Sequence, residues 1–305
     1  MTAIYDRVAF IGLGLIAGSM ALAMRRGGLA GEIVGTARSE ETRNAALKRG
    51  LCDRTVATPE DAVAGADLVV LAVPVGTMGE LARRIAPALA PGATVTDVGS
   101  VKRAVIDAVL PSIPPGVHFI PGHPLAGTEE SGPDAGFAEL FDNRFCLLIG
   151  DGANPEAMSR LTSLWEGMGA RVNVMDADHH DRVLAVTSHI PHLIAYTMVG
   201  VADDLEKVTD SEVIRYSAAG FRDFTRIAAS DPTMWRDVFM NNTEATLEIL
   251  GRFTEELFAL QRAIRTGSGD ELFEYFTRTR AIRRGIVEAG QDTNAPDFGR
   301  AGRGR

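Results

Sequence analysis

Short apolar runs alternate with helically spaced segments through the first half of this chain. Residues 7–12 read as a strand and 17–26 as the helix after it. Residues 32–37 form a second strand, and a helix over 40–49 follows with Ser39 as its cap. Thr58 and Pro59 are a capping residue and first-turn proline for a helix reaching residue 64. The unbroken apolar run at 67–73 has the character of a strand buried on both faces of a parallel sheet. Further strands are expected at 94–97, 118–121, 144–149 and 171–174, with a helix over 155–168. This alternation predicts an α/β fold built on a Rossmann-type, doubly wound parallel sheet.

The pattern changes near residue 177, and no strand is expected beyond it. Residues 178–204 read as a helix interrupted by Pro191, and 210–219 as a shorter helix. Asp231-Pro232 opens a long helix, continuous from 234 to 264, with Trp235, Val238, Leu247, Phe253 and Leu257 at helical intervals. Gly267-Ser268-Gly269 separates it from a last helix through 286, and 290–305 is expected to be disordered. The expected organisation is a dinucleotide-binding domain at 1–176, an all-helical substrate and dimerisation domain at 177–288, and a tail at 289–305.

Composition narrows the partners. A formal charge of −9 makes nucleic acid and anionic membranes poor ligands, so an anionic substrate needs local cations. Cys52 and Cys146 match no metal spacing or disulfide framework and read as buried residues of a reducing compartment. No apolar run is expected to reach the ~20 residues that span a bilayer. The N-terminus does not read as a signal peptide, so the cytoplasm is the expected location.

Gly12-Leu13-Gly14-Leu15-Ile16-Ala17-Gly18 follows the first strand and opens the first helix. Gly12 permits the tight turn, Gly14 admits a pyrophosphate, and Ala17 takes the third, helix-packing position. Leu15 and Ile16 in this turn, with Val73 and Pro74 after the 67–73 strand, complete the expected cofactor contacts. An NAD site usually ends its second strand in an acid. Here the residues are Thr36-Ala37-Arg38-Ser39, and Arg38 and Ser39 are placed to contact a 2′-phosphate. The expectation leans slightly to NADP, with NAD kept open.

His123 begins the segment His123-Pro124-Leu125-Ala126-Gly127-Thr128-Glu129-Glu130-Ser131-Gly132 at the ligand-binding sheet edge. An imidazole there is suited to accept a hydroxyl proton as hydride leaves the same carbon. Gly127 and Thr128 allow close approach, and Glu129 orients a neighbour or repels wrong ligands. Ser100, in Asp97-Val98-Gly99-Ser100-Val101-Lys102, reads as a helix cap that also presents its hydroxyl to substrate. Lys102 reads as a solvated helix residue outside the site, and His179 and His180 as surface residues. His189 and His192, three apart in Ser188-His189-Ile190-Pro191-His192, share a helix face, and with no third ligand they are not a metal site. Arg226 closes the polar stretch Gly220-Phe221-Arg222-Asp223-Phe224-Thr225-Arg226 and is a candidate for a substrate carboxylate; a surface ion pair with Asp223 is the alternative.

Taken in order, these five segments resemble the prephenate/arogenate (cyclohexadienyl) dehydrogenases, over nearly the whole chain to about residue 286. The resemblance implies a Rossmann domain, a helical dimerisation domain, a homodimer, and oxidative decarboxylation of a cyclohexadienyl substrate in tyrosine biosynthesis. It implies that His123 is the catalytic histidine bonded to the ring hydroxyl, with Ser100 beside it and the nicotinamide. His189 and His192 would lie at the domain junction, and Arg226 would hold a substrate carboxylate. The missing acid after the second strand departs from the family's NAD-type pattern. Two other readings stay open: a β-hydroxyacid dehydrogenase, for which the helical half offers only the isolated Lys207, and a non-catalytic dinucleotide sensor, which would need no general base.

Overall fold

β1 (Tyr5–Ile11) sits at the centre of a parallel sheet, and its last four side chains are all buried. The computed structural model of the chain describes residues 3–128, 130–209 and 215–288. Along β1, Val8 and Phe10 enter one core while Ala9 and Ile11 enter another. That alternation is why helices cover both faces. α1 (Leu15–Gly27) places Met20 and Met24 in the first core, and α4 (Val75–Ile85) places Met78 and Ile85 in the second.

The remaining elements of this layer are β2 (Ala30–Thr36), α2 (Glu40–Lys48), β3 (Arg54–Val56), α3 (Pro59–Val63), β4 (Leu68–Leu71), β5 (Thr94–Asp97), α5 (Arg103–Val109) and β6 (His118–Phe119). The six strands run in the order β3-β2-β1-β4-β5-β6, all parallel. This is the strand order of doubly wound dinucleotide-binding sheets. Ser39 and Thr58 cap α2 and α3 as the sequence predicts, accepting from the Thr42 and Asp61 amides. β3 and α4 have no counterpart in the sequence reading. β3 has only three residues, and the glycines and threonine that open α4 hide its spacing.

The expected single sheet is two. After β6 the chain breaks at Ile120-Pro121, and β7 (Gly122–Pro124) starts a second sheet with β8 (Phe145–Ile149) and β9 (Arg171–Met175). β7 pairs antiparallel with β8, with His123 opposite Leu147, and β8 pairs parallel with β9. α6 (Pro155–Gly167) connects β8 to β9 and buries Trp165 against Phe141 in the first core.

The helical part begins with α7 (Ala177–Leu184), a π-helical turn at Ala185–His189, and α8 (Ile190–Thr209). Pro191 interrupts this helix as expected, but through a wide turn: the Ile190 amide donates five residues back, to Ala185. A proline ring crowds the carbonyl four residues before it, and the π turn relieves that crowding. α9 (Ala219–Thr225) and α10 (Pro232–Asn241) follow, then α11 (Thr243–Thr266) and α12 (Gly269–Glu288).

The helix expected at 210–219 is not helical at 215–218, and 210–214 lie outside the described residues, as does the tail at 290–305. The stretch 220–226, read as polar chain after a helix, is itself almost all helix, α9. The helix expected from 234 to 264 is two, because Asn242 leaves helical geometry at φ −127° and ψ 45°. In addition, Ala177–Lys207 is long and apolar enough to cross a membrane by length and composition, which the sequence reading did not foresee; only 28% of its apolar window is buried. The structure divides into two compact units at Leu247/Glu248.

Candidate active site

The glycine turn lies between β1 and α1. Gly12 has φ +94°, and a Cβ there would sit 2.2 Å from the Ala72 carbonyl oxygen, so no other residue fits. A Cβ on Gly14 would meet nothing within 4 Å, which leaves open space before the N-terminus of α1. Leu15 and Ile16 form the first turn of that helix, and no side chain caps it. Val73 lies against Gly12, and Pro74 precedes α4. An anion-admitting glycine, free amides and a positive helix end fit a dinucleotide pyrophosphate.

Arg38 and Ser39 are exposed after β2, where no acid stands. The Ser39 hydroxyl is already engaged as the α2 cap and with Thr42. Arg43 donates to the carbonyls of Ala37 and Arg38, adding a second guanidinium to this edge.

At the end of β5 the sequence reading of Lys102 fails. Its ammonium is wholly buried, pairs with the equally buried Asp97, and donates to the Gly122 carbonyl at 2.6 Å. Asp97 also accepts from the Gly122 amide at 3.2 Å, so both main-chain groups of Gly122 are held next to His123. Lys102 lies on the same helical stripe as Val105 and Val109, which is the signal that it faces inward. Ser100 does not cap α5, which starts three residues later; it is half-buried in the loop.

The α5 cap comes from α7 instead. Asp181 accepts from the Lys102 amide at 2.8 Å and the Arg103 amide at 2.9 Å. The same carboxylate accepts from His180 Nδ1 at 2.8 Å, and His180 Nε2 lies 2.9 Å from His123 Nδ1. His180 is therefore buried in the site, while its neighbour His179 is exposed as expected. Ala177, His180, Asp181 and Leu184 form the buried stripe of α7, a period visible in the sequence once the polar pair is admitted to it.

Burial pushes the His123 pKa well below 6.5, and the nearby His180, Lys102 and His189 act in the same direction. The ring is thus neutral at neutral pH, as a general base requires. His180 is also lowered, burial outweighing Asp181. Burial alone would raise Asp181, but its bonds from His180 and the two α5 amides hold it below its ordinary value.

His189 and His192 meet across Trp235, which stacks on His192 at 3.7 Å between centroids and faces His189 edge-on at 6.2 Å. Asn242, unforeseen in the sequence, sends its amide to the Asp181 carbonyl at 2.9 Å and to His189 Nδ1 at 3.1 Å. The polar run Asn241-Asn242-Thr243-Glu244 was the sign of this break. Half-buried Arg226 begins the turn after α9; burial lowers the His192 pKa first, against its bond to the Ser188 carbonyl, and Arg226 acts in the same direction as burial. Thr128 is half-buried and accepts from the Glu130 amide; Glu129 lies outside the described residues. Among the described residues no three His, Cys, Asp or Glu side chains are grouped to hold a metal.

A family model for the nucleotide-binding domain of prephenate dehydrogenase matches residues 20–174, and one for its dimerization domain matches 176–278. The cyclohexadienyl dehydrogenase of Zymomonas mobilis is 42% identical over 92% of this chain and 96% of its own length. The prephenate dehydrogenase of Bacillus subtilis is 34% identical over 94% of this chain and 77% of its own length. The crystal structure of prephenate dehydrogenase from Aquifex aeolicus, in complex with hydroxyphenyl propionate and NAD+, matches with a TM-score of 0.86 at 32% identity. It covers 92% of this chain and 98% of that one.

Proposed function

The chain belongs to the prephenate dehydrogenase family, and on that premise we propose that it oxidatively decarboxylates prephenate, arogenate or both, in tyrosine biosynthesis. The observation that supports this most is the neutral, buried His123 at the end of a hydrogen-bonded chain, in a protein that also carries a glycine turn open to a pyrophosphate. A dinucleotide held at the Gly12 turn would supply the hydride acceptor for the ring carbon that bears the hydroxyl. His123 takes the proton of that hydroxyl on Nε2. The bond to the ring carboxylate then breaks, and its electron pair stays in the ring as carbon dioxide departs. His123 returns the proton to the phenolate oxygen, so the reaction needs no further acid and ends in an aromatic ring.

The other site residues serve this step. In this reading Ser100 serves the substrate hydroxyl and the nicotinamide. His189, His192 and Arg226 receive the substrate's carboxylates, and Thr128 and Glu129 are further substrate contacts in this reading. Gly12, Gly14, Leu15, Ile16, Val73 and Pro74 hold the cofactor. Arg38 is the contact for a 2′-phosphate, supported by the missing acid after β2, and Ser39 contributes less because its hydroxyl is engaged. We therefore infer that NADP is accepted alongside NAD.

The assembly we propose is a homodimer through the helical residues. Val201 and Leu205 on α8, Leu257, Phe258 and Ile264 on α11, and Phe273 and Phe276 on α12 are exposed. Water-facing apolar area costs about 25 cal/mol per Å², and a two-fold partner is the commonest cover. That reading also accounts for the apolar, largely uncovered helix at Ala177–Lys207. Cofactor reduction followed by absorbance with prephenate, arogenate and a 3-hydroxy acid, each with NAD and with NADP, tests the proposal. Reduction with the cyclohexadienyl substrates alone supports it, and turnover of the hydroxy acid alone would reject it.

A further inference from the structure

We propose that His180, held by Asp181, is a positioning residue that fixes His123 as its Nδ1–H tautomer and leaves Nε2 bare to take the substrate proton. The inference rests on His123 being the base, and it follows from bookkeeping of protons along one chain. Asp181 receives two main-chain amides, Lys102 N on Oδ1 and Arg103 N on Oδ2, so it is an ionised acceptor. His180 Nδ1, at 2.8 Å from Oδ1, must therefore carry a proton. A neutral His180 then has only a lone pair on Nε2. His123 Nδ1, at 2.9 Å from that lone pair, must donate to it. The two rings are tilted by 58° with centroids 5.1 Å apart, which suits a ring-to-ring bond and not a stack. The proton of the neutral His123 ring is thereby spent on Nδ1, and Nε2 is an acceptor.

The chain also acts while His123 carries the substrate proton. A transient imidazolium donates from Nδ1 to His180, whose own proton is anchored on the Asp181 carboxylate. Asp181 is anchored in turn by the first amides of α5 and, through its carbonyl, by Asn242. Thus α7 and α5 are tied together at the residue that orients the base. Lys102 and His189 also lie near His123, and the Cys146 thiol meets its main chain; none of the three is bonded to its ring among the described contacts.

Two variants of the full chain test this. His180→Leu leaves the His123 Nδ1 proton without an acceptor, so the proton is driven to Nε2 and the base is lost. We expect kcat to fall about 10²-fold or more, with both KM values held within about 2-fold. His180→Gln keeps an acceptor for His123 and a donor for Asp181, and we expect it to recover at least about 10-fold of that loss. A purely structural role would not distinguish the two in this way. Long-range proton–nitrogen spectra of the unaltered, histidine-labelled protein read the tautomer itself. With six histidines, the His123 signals are identified by their absence from His123→Asn. Nδ1–H in the native protein, shifting toward Nε2–H in His180→Leu, supports the proposal. Nε2–H in the native protein overturns it, as does a folded His180→Leu with native kcat or with kcat equal to that of the Gln variant. Should His180→Leu fail to fold, the native spectrum alone decides. An active His123→Asn would instead refute the base assignment and leave the tautomer result standing.

Discussion

Lys102 and Asp97 form a buried ion pair that holds both main-chain groups of Gly122, the residue before His123. Removing one member of such a pair leaves the other charge in an apolar interior, a worse state than losing both. Lys102→Met is therefore expected to cost about 3–5 kcal/mol of stability, read by urea unfolding. Its kcat should fall as well, because the β7 start is no longer fixed. A variant as stable as the native chain would show that the pair is dispensable.

Four buried or half-buried histidines set the response to acid. His123, His180, His189 and His192 all have pKa values lowered from 6.5 by burial first, His189 to about 4. Below pH 6.5 the unfolded chain takes up protons that the folded chain refuses, so folding stability falls as pH falls. For His189 alone the loss between pH 6.5 and 4 is about 3 kcal/mol. Urea unfolding at pH 7 and pH 5 should show a lower midpoint at pH 5. Equal midpoints would contradict the buried, neutral state of these rings.

Arg226 stands beside His192 at the edge of the aromatic cluster around Trp235. Arg226→Ala is expected to weaken substrate binding by roughly 2–5 kcal/mol, raising KM far more than it lowers kcat. The binding should also lose part of its salt dependence. An unchanged KM at both low and high salt would remove Arg226 from the site.

Light scattering of the native chain at micromolar concentration is expected to give the mass of two chains. Phe258 and Phe273 are 64% and 72% exposed, which is costly for aromatic side chains left in water. Replacing both with Glu should shift the mass toward that of one chain. A native monomer would leave these faces without an explanation.

Much of the fold was legible because its signals are local. The buried run of β4, the caps Ser39 and Thr58, and the glycine turn each announce themselves within a few residues. His123 was legible for the same reason, as a histidine between Gly122 and Pro124 just past an apolar strand, although the structure places it within the short strand β7 and not in a turn. Its partners were not, because Lys102, His180 and Asp181 are polar residues on buried stripes. Polar residues at such positions normally face water, and only a partner distant in sequence reverses that. His180 reaches His123 across 57 residues, and Asn242 reaches Asp181 across 61. Asn242 illustrates the cost of extending a period too far. The apolar spacing continues on both sides of it, yet the backbone leaves the helix so that its amide can serve Asp181 and His189.

The central claim is that the His123 ring removes the hydroxyl proton, and His123→Asn tests it most directly. The variant should fold, bind cofactor with near-native affinity, and lose kcat by about 10²-fold or more. The cofactor arm is needed because the Gly12 turn follows β1 while His123 lies in β7, so the two functions separate. A folded His123→Asn enzyme that turns over cyclohexadienyl substrate at close to the native rate would contradict the account.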